Sequence, residues 1–336
     1  MLAGGIAAPG AVAQRAFDAV VGANGSHSSL AAALAAAPSG SSPYRILLQA
    51  GQWQERIVVR RPNVRLTGAG PGVTILHAAT AAGDPKPGGG SWGTYGSATV
   101  TVEAPGFRAR GMTIENRFDY VEHLRRGTPG TQAVALALGD AADLSVIDRV
   151  EIIGHQDSFY LRAGRSLVRD CMISGSIDFI FGGSQAWFRR CEIRSRLRPG
   201  QEVQGYVAAP STPRAQAIGL VFDDCRLTRE PGGPDHSVYL GRPWRAGGDV
   251  SRTGAAAFLD CWMDSHIGPA GWAAMGYRGP GGYPMTMQAG DGRFFEWRSR
   301  GPGARPHPSR RQLAGHEAQV VRARLAAALD GVDSLP

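Results

Sequence analysis

Asp157 and Asp178 are the residues from which chemistry is most readily built. Each lies in an apolar and aromatic run, QDSFY around the first and IDFIF around the second. A carboxylate between bulky apolar neighbours is costly to desolvate unless it is paired or used. The two stand 21 residues apart, which suggests one arrangement met twice by a repeating fold. Carboxylates held side by side cannot both ionise easily: one pKa is driven up and the other kept down. Identical side chains then become an acid and a base or nucleophile. LGRPW supplies Arg242, able to clamp a carboxylate bidentately, and Trp244, a platform for a sugar ring. Gln132, in TQAVAL, and Gln156, directly before Asp157, carry amide N–H groups suited to an oxyanion developing in a transition state. Taken singly, each has a plain structural reading. An Asp in a strand is commonly a turn or ladder residue, and Arg-Pro-Trp commonly packs at a surface.

The elements that must position these residues read as a repeat. FRARGMTIEN, SVIDRVEIIG, LVRDCMISG, WFRRCEIRS, VFDDCRLTR and FLDCWMDS share one pattern around the pivots Met112, Val150, Cys171, Cys191, Cys225 and Cys261. The pivot spacings are 38, 21, 20, 34 and 36, two short turns and three with inserted loops. A base period near twenty with one short strand per turn argues for an all-β fold, a parallel β-helix. No coil buries its own apolar side, so coils stack at about 4.8 Å and share a core. A β-sandwich with irregular strands is the competing architecture. Before the repeat, FDAVV reads as a first strand, and Ser29 caps a short alanine-rich helix that stops before Pro38. Residues 82–97 form a glycine-rich loop with two aromatics, and ATVTVEAP alternates as a strand should. After Cys261 the repeat fades through RFFEWRSRGPG into HEAQVVRARLAAALDG, an amphipathic helix. Short helices thus cap both ends, and no composition shift marks a second domain within 14–336.

Composition bounds the rest. Gly 47 and Pro 22 favour turns and short strands over long helices. Lys86 is the sole lysine, so the formal net charge of +8 is carried by arginine. That charge serves solubility or attraction to a polyanion, and without a basic run or basic helix an acidic polysaccharide fits better than nucleic acid. No apolar segment reaches membrane-spanning length. Residues 1–13 are apolar and small, and Ala11-Val12-Ala13 has the form of a signal-peptidase site, so they read as the remnant of a signal peptide on a secreted or periplasmic protein. All four cysteines occupy the pivot, where neighbours lie one strand spacing apart, within the roughly 4.4–6.8 Å Cα separation of a disulfide. Adjacency favours Cys171–Cys191 and Cys225–Cys261; the alternative is a buried ladder of free thiols. No spacing suggests zinc or another metal.

At these residues the chain resembles the pectin methylesterases, the carbohydrate esterases of right-handed β-helix fold. GQWQER at 51–56 is similar to that family's G-x-Y-x-E segment, with Trp53 for tyrosine, and TQAVAL to its Q-A-V-A-L run. GHQDSFY, GSIDFIFG and LGRPW match its G-x-Q-D-T-L-Y, G-x-V/I-D-F-I-F-G and L-G-R-P-W motifs, in the same order. Ser158 and Phe159 depart from the Thr-Leu pair, and the loop RAGGDVSRTGAA lacks polar residues of some bacterial members, which bears on subsite preference. The resemblance implies that Asp178 attacks the methyl ester and that Asp157 protonates methanol, then activates water. It implies that Gln132 and Gln156 hold the oxyanion and that Arg242 orients Asp178. Tyr160, Phe181, Trp244 and Met275 would line the sugar cleft. Methyl-esterified pectin would be the partner of a monomer that needs no cofactor, binds no nucleic acid and touches no membrane. Two other classes remain open: a β-helix glycosidase with clustered aspartates, and a non-catalytic module that binds acidic polysaccharide.

Overall fold

The computed structural model describes residues 16–332, so the stretch read as a signal-peptide remnant lies outside the described residues. The chain winds as a parallel β-helix whose coils present three faces. Two faces belong to one 16-stranded sheet, and the third is a separate sheet of seven strands. In the first two long turns the first two faces run together as single nine-residue strands, Arg108–Asn116 and Ser145–Ile153. The corner between those faces falls on the residue before each pivot. Gly111, Arg149, Asp170, Arg190, Asp224 and Asp260 all have φ between 50° and 62°. Glycine and aspartate enter that left-handed region at little cost, whereas each arginine there stores about 1 kcal/mol or more of backbone strain. Stacking over the corner outweighs it, because a slip of one residue would turn every apolar side chain outward.

Val150 stacks in register on Met112, and the pairings Glu151 with Met172, Met172 with Glu192, Glu192 with Arg226 and Arg226 with Trp262 continue the column through the cysteines. Here the expected Cys171–Cys191 and Cys225–Cys261 bonds are corrected: all four thiols are free and buried. In-register parallel strands send equivalent side chains in the same direction, so the Cβ vectors run side by side, and a disulfide needs them to converge. Each thiol instead faces a main-chain carbonyl of the preceding coil: Cys191 donates to Val168 at 3.6 Å, Cys225 to Phe188 at 3.5 Å and Cys261 to Phe222 at 3.4 Å.

Beside the thiols runs an aromatic column. Phe188, Phe222 and Phe258 are fully buried and stack with ring centroids 4.7 and 4.4 Å apart. The N-terminal end is closed by α1 (Leu30–Ala35), which buries Leu30 and Ala33. Ser29 caps it as its sequence predicts, accepting from Ala32 N–H at 3.1 Å. Glu55, the acid of GQWQER, adds a second cap by accepting from the Leu30 and Ala31 N–H groups at 2.9 Å each. That motif is therefore tied to closing the stack. The C-terminal helix, Gly315–Ala328, lies along the outside of the coils, with Ala318 and Leu325 packed on Val221, Ala257 and Leu259.

Candidate active site

The seven-stranded face carries the chemistry. Its strands are β1 (Ile57–Val59), β2 (Val100–Val102), β3 (Leu136–Leu138), β4 (Phe159–Leu161), β5 (Ile177–Gly182), β6 (Gly205–Pro210) and β7 (Val238–Gly241), paired in that order. Tyr160 pairs with Phe181, and Phe181 with Ala209, so these side chains form one outward row across β4, β5 and β6. Stepping back three residues from Tyr160 and from Phe181 reaches Asp157 and Asp178. The two aspartates are therefore register equivalents in successive coils, about one strand spacing apart. Asp157 N–H donates to the Ile177 carbonyl at 3.0 Å, which fixes the first against the second.

Both aspartates have left-handed backbones, φ 64° at Asp157 and 49° at Asp178. At Asp178 the register against β6 also shifts: Ile177 pairs with Tyr206 but Ile180 with Ala208. Two residues of β5 therefore oppose one of β6, a β-bulge that re-aims a side chain at a sheet surface. Gly175 makes the approach to it close-fitting, since a Cβ there would lie 2.2 Å from that of Phe179. Strain of this kind, of order 1–3 kcal/mol per residue, persists only where the surroundings over-determine it.

The two carboxylates meet different surroundings. Arg242 grips Asp178 with two parallel hydrogen bonds, Nε to Oδ1 at 2.8 Å and Nη2 to Oδ2 at 2.7 Å. The Arg242 guanidinium lies over the Tyr206 ring, 3.9 Å from its centroid, and that ring stacks on Tyr239. Asp157 has no such clamp. Burial, and then the charge of Asp178, push its carboxyl well above the usual carboxylate range, with Arg242 pulling the other way. The pair is therefore asymmetric: burial and its neighbour push one carboxyl toward its protonated form, while a guanidinium grips the other.

Around the pair opens a cleft of ≈ 350 Å³. Gln132, Gln156, Asp157, Tyr160, Asp178, Phe181, Arg242, Trp244 and Met275 all line it, so every catalytic and sugar-binding residue expected from the sequence arrives at one place. Tyr160 and Phe181 stack at 4.2 Å, and Trp244 stands edge-on to both at 6.2 and 5.6 Å. Such aromatic faces suit the C–H faces of a pyranose. Thr94, Tyr95 and Ala209 also line the cleft without having been singled out. For Tyr95 a signal existed, because it is one of the two aromatics in the 82–97 loop. That loop folds onto the site when Ala82 N–H donates to the Gln132 carbonyl at 2.7 Å.

A parallel β-helix that sets an unclamped, buried Asp beside an Arg-held one under aromatic rings has the makings of a carbohydrate-active hydrolase of the acyl-transfer kind. Comparison with known proteins makes this specific. The pectinesterase family model matches residues 18–318. Pectinesterase A of Dickeya dadantii is 38% identical over 307 residues, 86% of this chain and 83% of its own length. The pectin methylesterase of Erwinia chrysanthemi superposes with a TM-score of 0.87 at 36% identity over 94% of this chain and 97% of its own. That of Yersinia enterocolitica gives 0.83 at 38%, over 87% and 96%. Another solved pectin methylesterase, at TM-score 0.88, holds a hexasaccharide. The chain belongs to the pectinesterase family, an enzyme that hydrolyses the methyl esters of pectin.

Proposed function

We propose that de-esterification runs through Asp178 as nucleophile and Asp157 as the proton carrier. An Asp178 oxygen attacks the carbonyl carbon of a galacturonate methyl ester, and the carbonyl electrons move to oxygen. N–H groups of Gln132 and Gln156 receive that oxyanion, a kind of contact worth about 10²–10³ in rate per donor. Collapse breaks the C–OCH₃ bond while protonated Asp157 gives its proton to the departing methanol. The resulting anhydride is opened by water, whose proton Asp157, now ionised, takes back. Asp178 is released as a carboxylate beside the new galacturonic acid, which keeps the second water proton until it ionises and passes that proton to solvent. The observation that carries this reading is the asymmetry of the pair: one carboxylate is clamped by Arg242, and the other is unclamped and pushed toward its protonated form by burial and its neighbour.

We further propose that the protein acts as a secreted monomer on methyl-esterified homogalacturonan, with no nucleic acid or membrane partner. Among the described residues no helix is long and apolar enough to cross a membrane. The free thiols do not bear on export. Tyr160, Phe181, Trp244 and Met275 form the sugar platform.

The deciding experiment measures methanol and reducing ends together on highly methylated pectin. Methanol release without new chain ends is expected, and Asp178→Asn should abolish it because an amide cannot form the anhydride. New reducing ends without methanol would restore the glycosidase reading. Binding without turnover by the parent would restore the binding module.

A further inference from the structure

Thr131 lies one residue before Gln132, which lines the cleft. Its hydroxyl donates to Oε1 of Gln156 at 2.8 Å, across the step between two coils. Main-chain bonding holds both ends of that contact, since Ala133 N–H donates to the Gln156 carbonyl at 3.0 Å. The consequence follows from the amide's shape. A glutamine side chain is planar, with its acceptor and its two donors at opposite corners. Fixing Oε1 on a hydroxyl donor turns the Nε2–H groups the other way. Were the amide reversed, an acceptor would face the developing oxyanion, and a stabilising contact would become a repulsive one. Gln156 sits directly before Asp157, where such an error would be felt in the transition state and little in the ground state.

We propose that Thr131 is a positioning residue for the esterase reaction: its hydroxyl locks the Gln156 amide with N–H directed at the oxyanion. This rests on the reading of Gln156 as an oxyanion donor. Thr131 touches no reacting atom and acts only through that amide.

The test is a double-mutant cycle on the full-length enzyme, with methanol release as the readout. Thr131→Val keeps the shape and removes the hydroxyl. It should lower kcat by about ten- to a hundredfold, a large part of one oxyanion contact, with KM changed less than twofold. Thr131→Ser should restore kcat to within about threefold, because it keeps the donor. In a Gln156→Ala background, Thr131→Val should cost nothing further, as residues acting through one contact are not additive. Thr131→Ala gives the same comparison if the valine variant folds poorly. A Thr131→Val enzyme with normal kcat overturns the inference while leaving Gln156 in its role. An equal loss in the Gln156→Ala background also overturns it, because the hydroxyl would then act elsewhere. A Gln156→Ala enzyme with normal kcat overturns the underlying reading and the inference with it.

Discussion

Asp157, the proposed proton carrier, illustrates how a group suited to catalysis can be a net liability for folding. Its carboxyl is raised well above the usual range by burial and by Asp178, so above pH 4 the unfolded chain ionises it while the folded chain keeps the proton. The folded state then binds more protons, and stability contributed at this site falls as pH rises, by up to about 1.4 kcal/mol per unit until the folded pKa is passed. Asp157→Asn, a neutral mimic of the protonated acid, removes that slope. Its stability relative to the parent should therefore grow from pH 4.5 to pH 7, measured by denaturant unfolding, while turnover is lost. A constant difference would mean that Asp157 ionises normally. Because Arg242 clamps Asp178 with two hydrogen bonds, Arg242→Ala should depress kcat more than it raises KM. If KM alone moved, the guanidinium would be a substrate anchor.

Elements show where the sequence was a good guide and where it was not. The column of pivots was legible because one apolar position recurs in every coil, and register then forces equivalent residues together. By the same logic the distance between successive cysteines was right and the bond inferred from it was wrong. Proximity is set by the stack, whereas direction is set by the pleat, and only direction decides a disulfide. Unfolding the protein should accordingly expose four titratable thiols without reductant, and reductant should leave the thermal midpoint unchanged. Two thiols or none would reinstate the pairings. The aspartates were legible through their flanking motifs, but the bulge that aims Asp178 was not, because an extra residue against β6 shows only once the strands are paired. Thr131 was passed over for a related reason: a hydroxyl carries no sequence signal until its acceptor, one coil away, is known. Glu55 was grouped with the family motifs, and its role as a helix cap appears only in three dimensions.

The whole molecule is a stack in which each coil contacts mainly its neighbours, so buried polar groups beside the site and away from it both contribute to the stability of the stack. Two histidines matter most. His266 is 1% exposed, and neither of its ring nitrogens meets a hydrogen-bond partner among the described residues. Burial pushes its pKa down to about 4, reinforced by Arg229 and opposed by Asp264 and Asp235. His155, stacked on Tyr120 at 4.9 Å, is pushed down to about 3 by burial, with Arg196 and Arg198 adding to it. Both stay neutral in the fold while the unfolded chain protonates them below about pH 6.5. Each removes up to about 1.4 kcal/mol of stability per pH unit on acidification, and Asp157 restores about the same amount as one of them. His77, pushed down by burial, and the arginine-bonded carboxyls of Asp18, Glu122 and Asp143, held below their usual range, act in the same direction as the two rings, so lowering the pH from 6 to 4.5 gives a net loss. Denaturant unfolding across that range should show stability falling with acid in the parent. In His266→Leu, which fills the site without a titratable ring, the fall should be shallower than in the parent, since one of the two rings that resist protonation is gone. In a His266→Leu, Asp157→Asn double variant it should steepen again, because Asp157 no longer offsets His155. A parent whose stability is flat or rises with acid over this window would show that the two rings are protonated or hydrated in the folded stack.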